Sequence, residues 1–289
     1  MATGVRDIAV IGCGALGLTS GLLLQRAGAD VTIYAKDTPP NVRSSLATGV
    51  WSPDSRICLE ENATPAFRQL WEHMARESFR TYQTLLGLPG DPVEFIDNYS
   101  VWDPADWNRR GAPSTDKRPP FAELQGALTP DLAPHAKEYG PGSHPFGSRF
   151  VQQNSMMMFN LTAYARLLMS DFLANRGRIE VMEFHAPADF ASLRQKTLIN
   201  ATGFGARALF RDESITPVRG QLARAIPQTD IHYGLLHKDV FFVPRRDGLV
   251  FQVVGDNDYY GFADDTTVPD RAEAEHAVNT IAGLYSGSS

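Results

Sequence analysis

Three glycines near the start of the chain, in Gly12-Cys13-Gly14-Ala15-Leu16-Gly17, carry the first chemistry that residue types and spacing suggest. Glycines so placed let a backbone turn sharply, approach an anion closely and run on into a helix packed tightly on a strand. A helix start also offers free N–H groups and a positive dipole end to phosphate. Asp37 follows Gly17 by 20 positions (37 − 17), about where an acid that binds ribose hydroxyls is expected. The ligand implied is a pyrophosphate-linked dinucleotide, flavin or nicotinamide.

Other reactive residue types form no comparable pattern. The seven histidines are scattered, with no paired carboxylates and no acid–base triad beside them. Cys13 lies inside the glycine turn, where a small residue is needed, and Cys58 is far from it, so the two cysteines make no metal spacing. Arg219 reads as an ion-pairing residue of a strand before it reads as a catalytic one.

The glycine turn needs a strand before it and a helix and strand after it, and all three are legible. Ile8-Ala9-Val10-Ile11 is an apolar strand run. A helix pattern extends to about Ala27, Gly28 is a natural stop, and Asp30-Val31-Thr32-Ile33-Tyr34 is a second strand. The order is that of a dinucleotide-binding βαβ unit.

Downstream, residues 38 to 56 form a Pro-, Ser- and Thr-rich loop, and helical spacing of Phe67, Leu70, Trp71, Met74, Phe79, Tyr82 and Leu86 predicts a helix from about Pro65 to Leu86. Residues 87 to 150 read as a loop-rich insertion with short strand signals such as Val93 to Ile96. A second helix is expected from about Asn160 to Asn175, a short strand from Ile179 to Phe184, and a buried strand over Thr197 to Gly203 that rejoins the first sheet. An antiparallel block follows, with Val218 to Leu222 as one strand. Phe241 to Pro244 and Leu249 to Val254 flank the hairpin turn Arg245-Arg246-Asp247-Gly248, and a last helix runs from Pro269 to about Leu284.

The fold class expected is α/β: a Rossmann-type dinucleotide-binding βαβ domain interleaved with an antiparallel-sheet substrate domain. The first comprises residues 1–86 and 155–215, the second 87–154 and 216–268, with a terminal helix and tail over 269–289.

At 289 residues, 43% of them hydrophobic, the chain suits one large or two medium domains. A formal net charge of −6, with no basic run longer than Arg109-Arg110 or Arg245-Arg246, argues against nucleic acid as a partner. No apolar run has the length of a membrane span, and the N-terminal apolar segment lacks the basic region and cleavage site of a signal peptide. A reducing, cytoplasmic setting is expected from the cysteine usage. A homodimer is left open.

Four segments, in order, resemble the FAD-dependent D-amino-acid oxidase family: IAVIGCGALGLTSGLLL, IYAKD followed by SSLATGVWSP, the return strand LINATGFGARAL, and ITPVRGQLARA. The resemblance implies FAD as cofactor. It assigns Gly12, Gly14, Ala15, Leu16 and Gly17 to the pyrophosphate, and Ala35, Lys36 and Asp37 to the AMP half. Ser44 and Ser45 go to phosphate or ribose, and Thr48, Gly49, Val50 and Trp51 run beside the flavin. Thr202 and Gly203 lie against the cofactor, and a backbone amide at Phe184 or His185 contacts the adenine. It also implies that a small amine or amino acid is dehydrogenated by hydride transfer to the flavin, with O2 as acceptor and hydrogen peroxide as product.

The chain departs from the family in two places. The tyrosine that holds the substrate carboxylate aligns with Phe241, whose phenyl ring donates no hydrogen bond. Tyr233 and His237 are the neighbouring polar candidates. Residues 270 to 289 match neither the carboxylate-binding arginine nor the glycine-rich turn that follow the last helix in the family. The ending Tyr285-Ser286-Gly287-Ser288-Ser289 reads as a tail. A shortened chain, a reduced paralogue or a site completed by a second chain would each account for this.

Overall fold

The computed structural model describes residues 6–53, 56–109, 116–132 and 136–285. The first elements are β1 (Asp7–Ile11), α1 (Ala15–Arg26), β2 (Asp30–Ala35), α2 (Pro65–Gln83), β3 (Val93–Trp102), α3 (Pro104–Arg109) and α4 (Gln125–Leu128). Then come β4 (Lys137–Tyr139), β5 (Phe150–Phe159), α5 (Leu161–Ala174), β6 (Arg178–Val181), β7 (Thr197–Asn200) and α6 (Gly205–Phe210). The chain continues through β8 (Leu222–Ala225), β9 (Tyr233–His237), β10 (Val240–Arg245), β11 (Gly248–Val253) and α7 (Arg271–Ala282).

Two compact units divide these elements, residues 1–47 with 161–217 and residues 48–160 with 218–289. In the first, four parallel strands stand in the order β6-β2-β1-β7. β1 pairs from Asp7↔Asp30 to Ile11↔Tyr34 on one side and from Ile8↔Thr197 to Ile11↔Asn200 on the other. Such a central strand is covered on both faces, which is why Ile8 to Ile11 is an unbroken apolar run. Leu18 and Leu22 of α1 and Phe172 of α5 are buried in this unit. Ala9, Ile11, Tyr34 and Leu193 form a cluster with Met182, Phe184 and Phe190.

The second unit is built on a seven-stranded sheet of order β4-β5-β3-β9-β10-β11-β8. Its strands are antiparallel except for the β3–β9 pair. α7 lies on one face, with Ala277, Ile281 and Leu284 packed among Val101, Leu235, Val240, Phe242, Leu249, Phe251 and Val253. Because side chains alternate along a strand, their neighbours point to the other face. There Val50, Met156 and Phe241 pack on Ile96, Met158 and Val243.

The structure corrects several sequence expectations. Residues 48–86 cluster with the sheet unit, because α2 packs Trp71 and Ala75 against Ala122, Leu124 and Trp51, and Phe79 meets Phe95 of β3. Residues 155–160 belong there too, since β5 pairs with β3 over ten positions from Val93↔Phe159 to Trp102↔Phe150. Within the insertion expected over residues 87 to 150, the short strand signal at Val93 to Ile96 is thus part of a ten-residue strand, β3, paired with β5 just beyond it. The strand expected at Val218 begins at Leu222, and Val218 itself makes only a bridge to Phe262. α7 is an integral part of the sheet unit. Tyr285 is held there by a 2.8 Å hydroxyl–hydroxyl hydrogen bond to Tyr233, and residues 286–289 lie outside the described ones.

Candidate cofactor-binding site

In the first unit the glycine turn is forced by its surroundings. Gly12 has φ +113°, and a Cβ there would lie 2.3 Å from the Ala201 carbonyl oxygen. A Cβ on Gly17 would lie 2.0 Å from the carbonyl oxygen of Gly12. Both distances exclude any side chain, so the turn, the start of α1 and the end of β7 are locked together. Gly14 caps α1 without a side-chain hydrogen bond.

Ser44 reaches the same helix start. Its hydroxyl oxygen accepts the Ala15 N–H at 3.0 Å, and a Cβ on Gly14 would sit 3.4 Å from it. Leu16 and Gly17 follow with the amides that a helix start leaves unpaired. The Ser45 hydroxyl is buried and has no partner among the described residues. Unpaired amides, a hydroxyl without a partner and a dipole end are what a phosphate group would satisfy.

The remaining candidates of this unit are placed as follows. Ala35 ends β2 and is buried, whereas Lys36 and Asp37 just beyond it are exposed. Lys36 lies 3.4 Å from Glu183, an exposed pair of little energetic weight. Thr202 leaves β7 with its hydroxyl donating to Asn200 Oδ1 at 2.7 Å, and Gly203 has φ +57° with open space where a Cβ would be. The Phe184 ring is part of the core beside Tyr34 and Phe190. The His185 N–H is already donated to Asp189 Oδ2 at 2.7 Å, which leaves Phe184 as the amide of the two without such a partner. Burial pushes the Cys13 thiol up to about 11, so it is an inert packing group.

In the second unit, Thr48 to Trp51 is fastened to β5. The Phe159 N–H donates to Gly49 at 2.7 Å, the Trp51 N–H donates to Met157 at 3.0 Å, and Val50 bridges Met158. The Trp51 side chain turns into the α2 cluster, 5.0 Å from the Phe79 ring.

The three substrate-side candidates do not converge. Phe241 lies on the sheet face away from α7. Tyr233 packs on the α7 face, where its hydroxyl meets that of Tyr285 and its ring meets Tyr99. His237, four positions further along β9, is 3% exposed and bonded through Nδ1 to the Val101 carbonyl at 2.9 Å. Both lie on the α7 face, whereas Phe241, which they were expected to neighbour, lies on the other. Arg219 makes a 2.7 Å ion pair with Glu273, while Gln221 bonds Asp270 at both its amide atoms, so the Arg-Gly-Gln segment docks α7.

Gln252 was missed by sequence reasoning. It pairs with Phe241, and its Oε1 accepts a hydrogen bond from the Thr48 hydroxyl. The available signal was a single amide in the otherwise apolar run Leu249 to Val253. Among the described residues no group of three or more potential metal ligands occurs, and no helix is long and apolar enough to cross a membrane.

The profile of the FAD dependent oxidoreductase family (DAO) matches residues 7–287. The chain belongs to this family. It is therefore an FAD-dependent oxidoreductase, and the nicotinamide alternative is set aside. A D-amino-acid oxidase of Rubrobacter xylanophilus is 26% identical over 281 residues, 95% of this chain and 76% of that protein. A D-amino-acid oxidase of Streptomyces coelicolor is 26% identical over 286 residues, 96% of this chain and 77% of that protein.

Among solved structures, glycine oxidase from Geobacillus kaustophilus is similar with a TM-score of 0.64 at 13% identity, covering 96% of this chain and 78% of that one. L-proline dehydrogenase from P. horikoshii is similar with a TM-score of 0.61 at 14% identity, covering 97% and 78%. At such identities the likeness bears on fold: a Rossmann-type FAD domain with a second, sheet-based domain.

Proposed function

We propose that this chain oxidises a C–N bond of a small amino acid or amine. The observation that carries the reading is the glycine turn. Its backbone is closed to any side chain at Gly12 and Gly17, Ser44 bonds its helix start, and the buried hydroxyl of the next residue, Ser45, has no partner among the described residues. The family and the D-amino-acid oxidases it resembles supply the substrate class. Bound FAD would supply the redox chemistry, accepting a hydride from the carbon that bears the nitrogen and passing electrons to O2 to give hydrogen peroxide.

The residues divide the binding. Gly12, Gly14, Ala15, Leu16 and Gly17 receive the pyrophosphate, with Ser44 fixing Ala15. Ser45 satisfies its hydroxyl on phosphate or ribose. Ala35, Lys36 and Asp37 take the AMP half, and the Phe184 amide takes the adenine. Thr202 and Gly203 lie against the cofactor, and Thr48 to Trp51 run along the flavin. No acid–base side chain is required when the amine arrives neutral.

A second reading, flavin binding without turnover, is favoured by Phe241, which brings no donor to the sheet face it occupies. The absorbance spectrum of the purified protein tests the cofactor, with a flavin band expected. A panel of D- and L-amino acids and simple amines, followed by peroxide release, tests the reaction. Flavin without peroxide on the whole panel would select the second reading.

A further inference from the structure

The sheet face turned away from α7 carries one side-chain amide held by a neighbour at one end only. Phe241 pairs with Leu236 of β9 and Gln252 of β11, and Gln252 pairs with Leu222 of β8. The residues alternating with them, Val240, Phe242, Phe251 and Val253, are buried under α7, so Phe241 and Gln252 share the opposite face. Both are half-buried.

The Thr48 hydroxyl donates to Gln252 Oε1, which fixes which end of the amide is occupied. The other end, Nε2, stands against Gly220, where a Cβ would come within 3.3 Å of it. No acceptor for Nε2 exists among the described residues. A planar amide whose oxygen is engaged presents two N–H donors in a fixed direction. Beside the Phe241 ring, the complementary group is an acceptor joined to an apolar body, and a carboxylate accepts most strongly. The charged groups near this face are paired at the hairpin end, Arg245 and Arg224 with Asp247 and Arg246 with Glu94.

We propose that Gln252 is a specificity-determining residue: its Nε2 donates to the substrate carboxylate, and Thr48 is the positioning residue that keeps the amide in that orientation. This rests on the amino-acid reading given above.

The test uses the FAD-loaded protein and benzoate, a carboxylate on a flat apolar body, with benzyl alcohol as the uncharged control. Binding is read from perturbation of the flavin absorbance. Gln252→Glu, which keeps the shape and replaces the donor by a like charge, is expected to weaken benzoate at least tenfold and leave benzyl alcohol within twofold. Gln252→Leu is expected to weaken benzoate about threefold to tenfold, and Thr48→Val to weaken it less. With an amino acid that turns over, Gln252→Leu raises KM and spares kcat. Equal benzoate affinity in the wild type and both Gln252 variants, each carrying flavin, overturns this inference alone. A wild-type protein without flavin absorbance overturns the functional reading, and this inference with it.

Discussion

The glycine turn and strand β9 use their polar groups in opposite ways. At the start of α1 hydrogen-bonding capacity is left over in the amides that follow Ala15, and next to Ser44 in sequence the buried Ser45 hydroxyl has no partner among the described residues. Along β9 the polar side chains are engaged within the protein, in the Tyr233–Tyr285 hydroxyl pair and the His237–Val101 bond. Residue type alone ranks Tyr233 and His237 as the better chemical candidates. The comparison weighs the other way: a ligand needs donors and acceptors that the protein has not already matched.

The largest effect expected from that contrast is at Gly17. Gly17→Val sets its Cβ against the Gly12 carbonyl, and because the backbone fixes the Cβ position no rotamer relieves the clash. Flavin absorbance should vanish, and stability should fall by about 4 kcal/mol or more, the range of core overpacking with strain. Retention of flavin at wild-type stoichiometry would show that the turn is not the phosphate site. A smaller effect is expected at Arg219, where the charge is structural. Arg219→Met leaves the Glu273 carboxylate largely buried and without its ion-pair partner, the two side chains being 15% and 12% exposed. Loss of a paired charge of this burial should cost about 2–3 kcal/mol. Thermal unfolding should show it as a lowered Tm, with flavin content per folded molecule unchanged. A selective loss of flavin would move Arg219 into the cofactor machinery.

The same contrast explains what could be read in advance. β1, α1 and β2 were legible because each meets a local need: an apolar run for a strand buried on both faces, glycines where a Cβ has no room, a stop at Gly28. The pairing of β3 with β5 was not. Phe150 to Phe159 mixes Gln152, Gln153, Asn154 and Ser155 into its alternation, and only the partner strand makes it a strand. The division at residue 48 was hidden for a similar reason, since α2 reads as an amphipathic helix whichever sheet it covers. The glycine turn was legible as a site because its chemistry is in the backbone. The role proposed for Gln252 was not, because it depends on Thr48, 204 positions away.

The smallest effect expected concerns His237, and it separates a core histidine from a working one. Burial lowers its pKa, only partly opposed by the bond to Val101. A folded-state pKa below the ordinary value of about 6.5 means that the unfolded chain binds the proton more readily. Stability is therefore fully present above about pH 6.5 and is lost as the pH falls through the lowered folded-state value. Gln at this position can still bond the Val101 carbonyl through its amide but does not titrate. Urea unfolding at pH 7, 6 and 5 should show the wild type losing stability more steeply with acid than His237→Gln. Flavin content at pH 7 should be equal in the two. Parallel pH profiles would show that His237 is not the titrating group, and an altered flavin spectrum at pH 7 would return it to the cofactor's surroundings. Either result would break the contrast between matched and unmatched polar groups on which the assignment of this site depends.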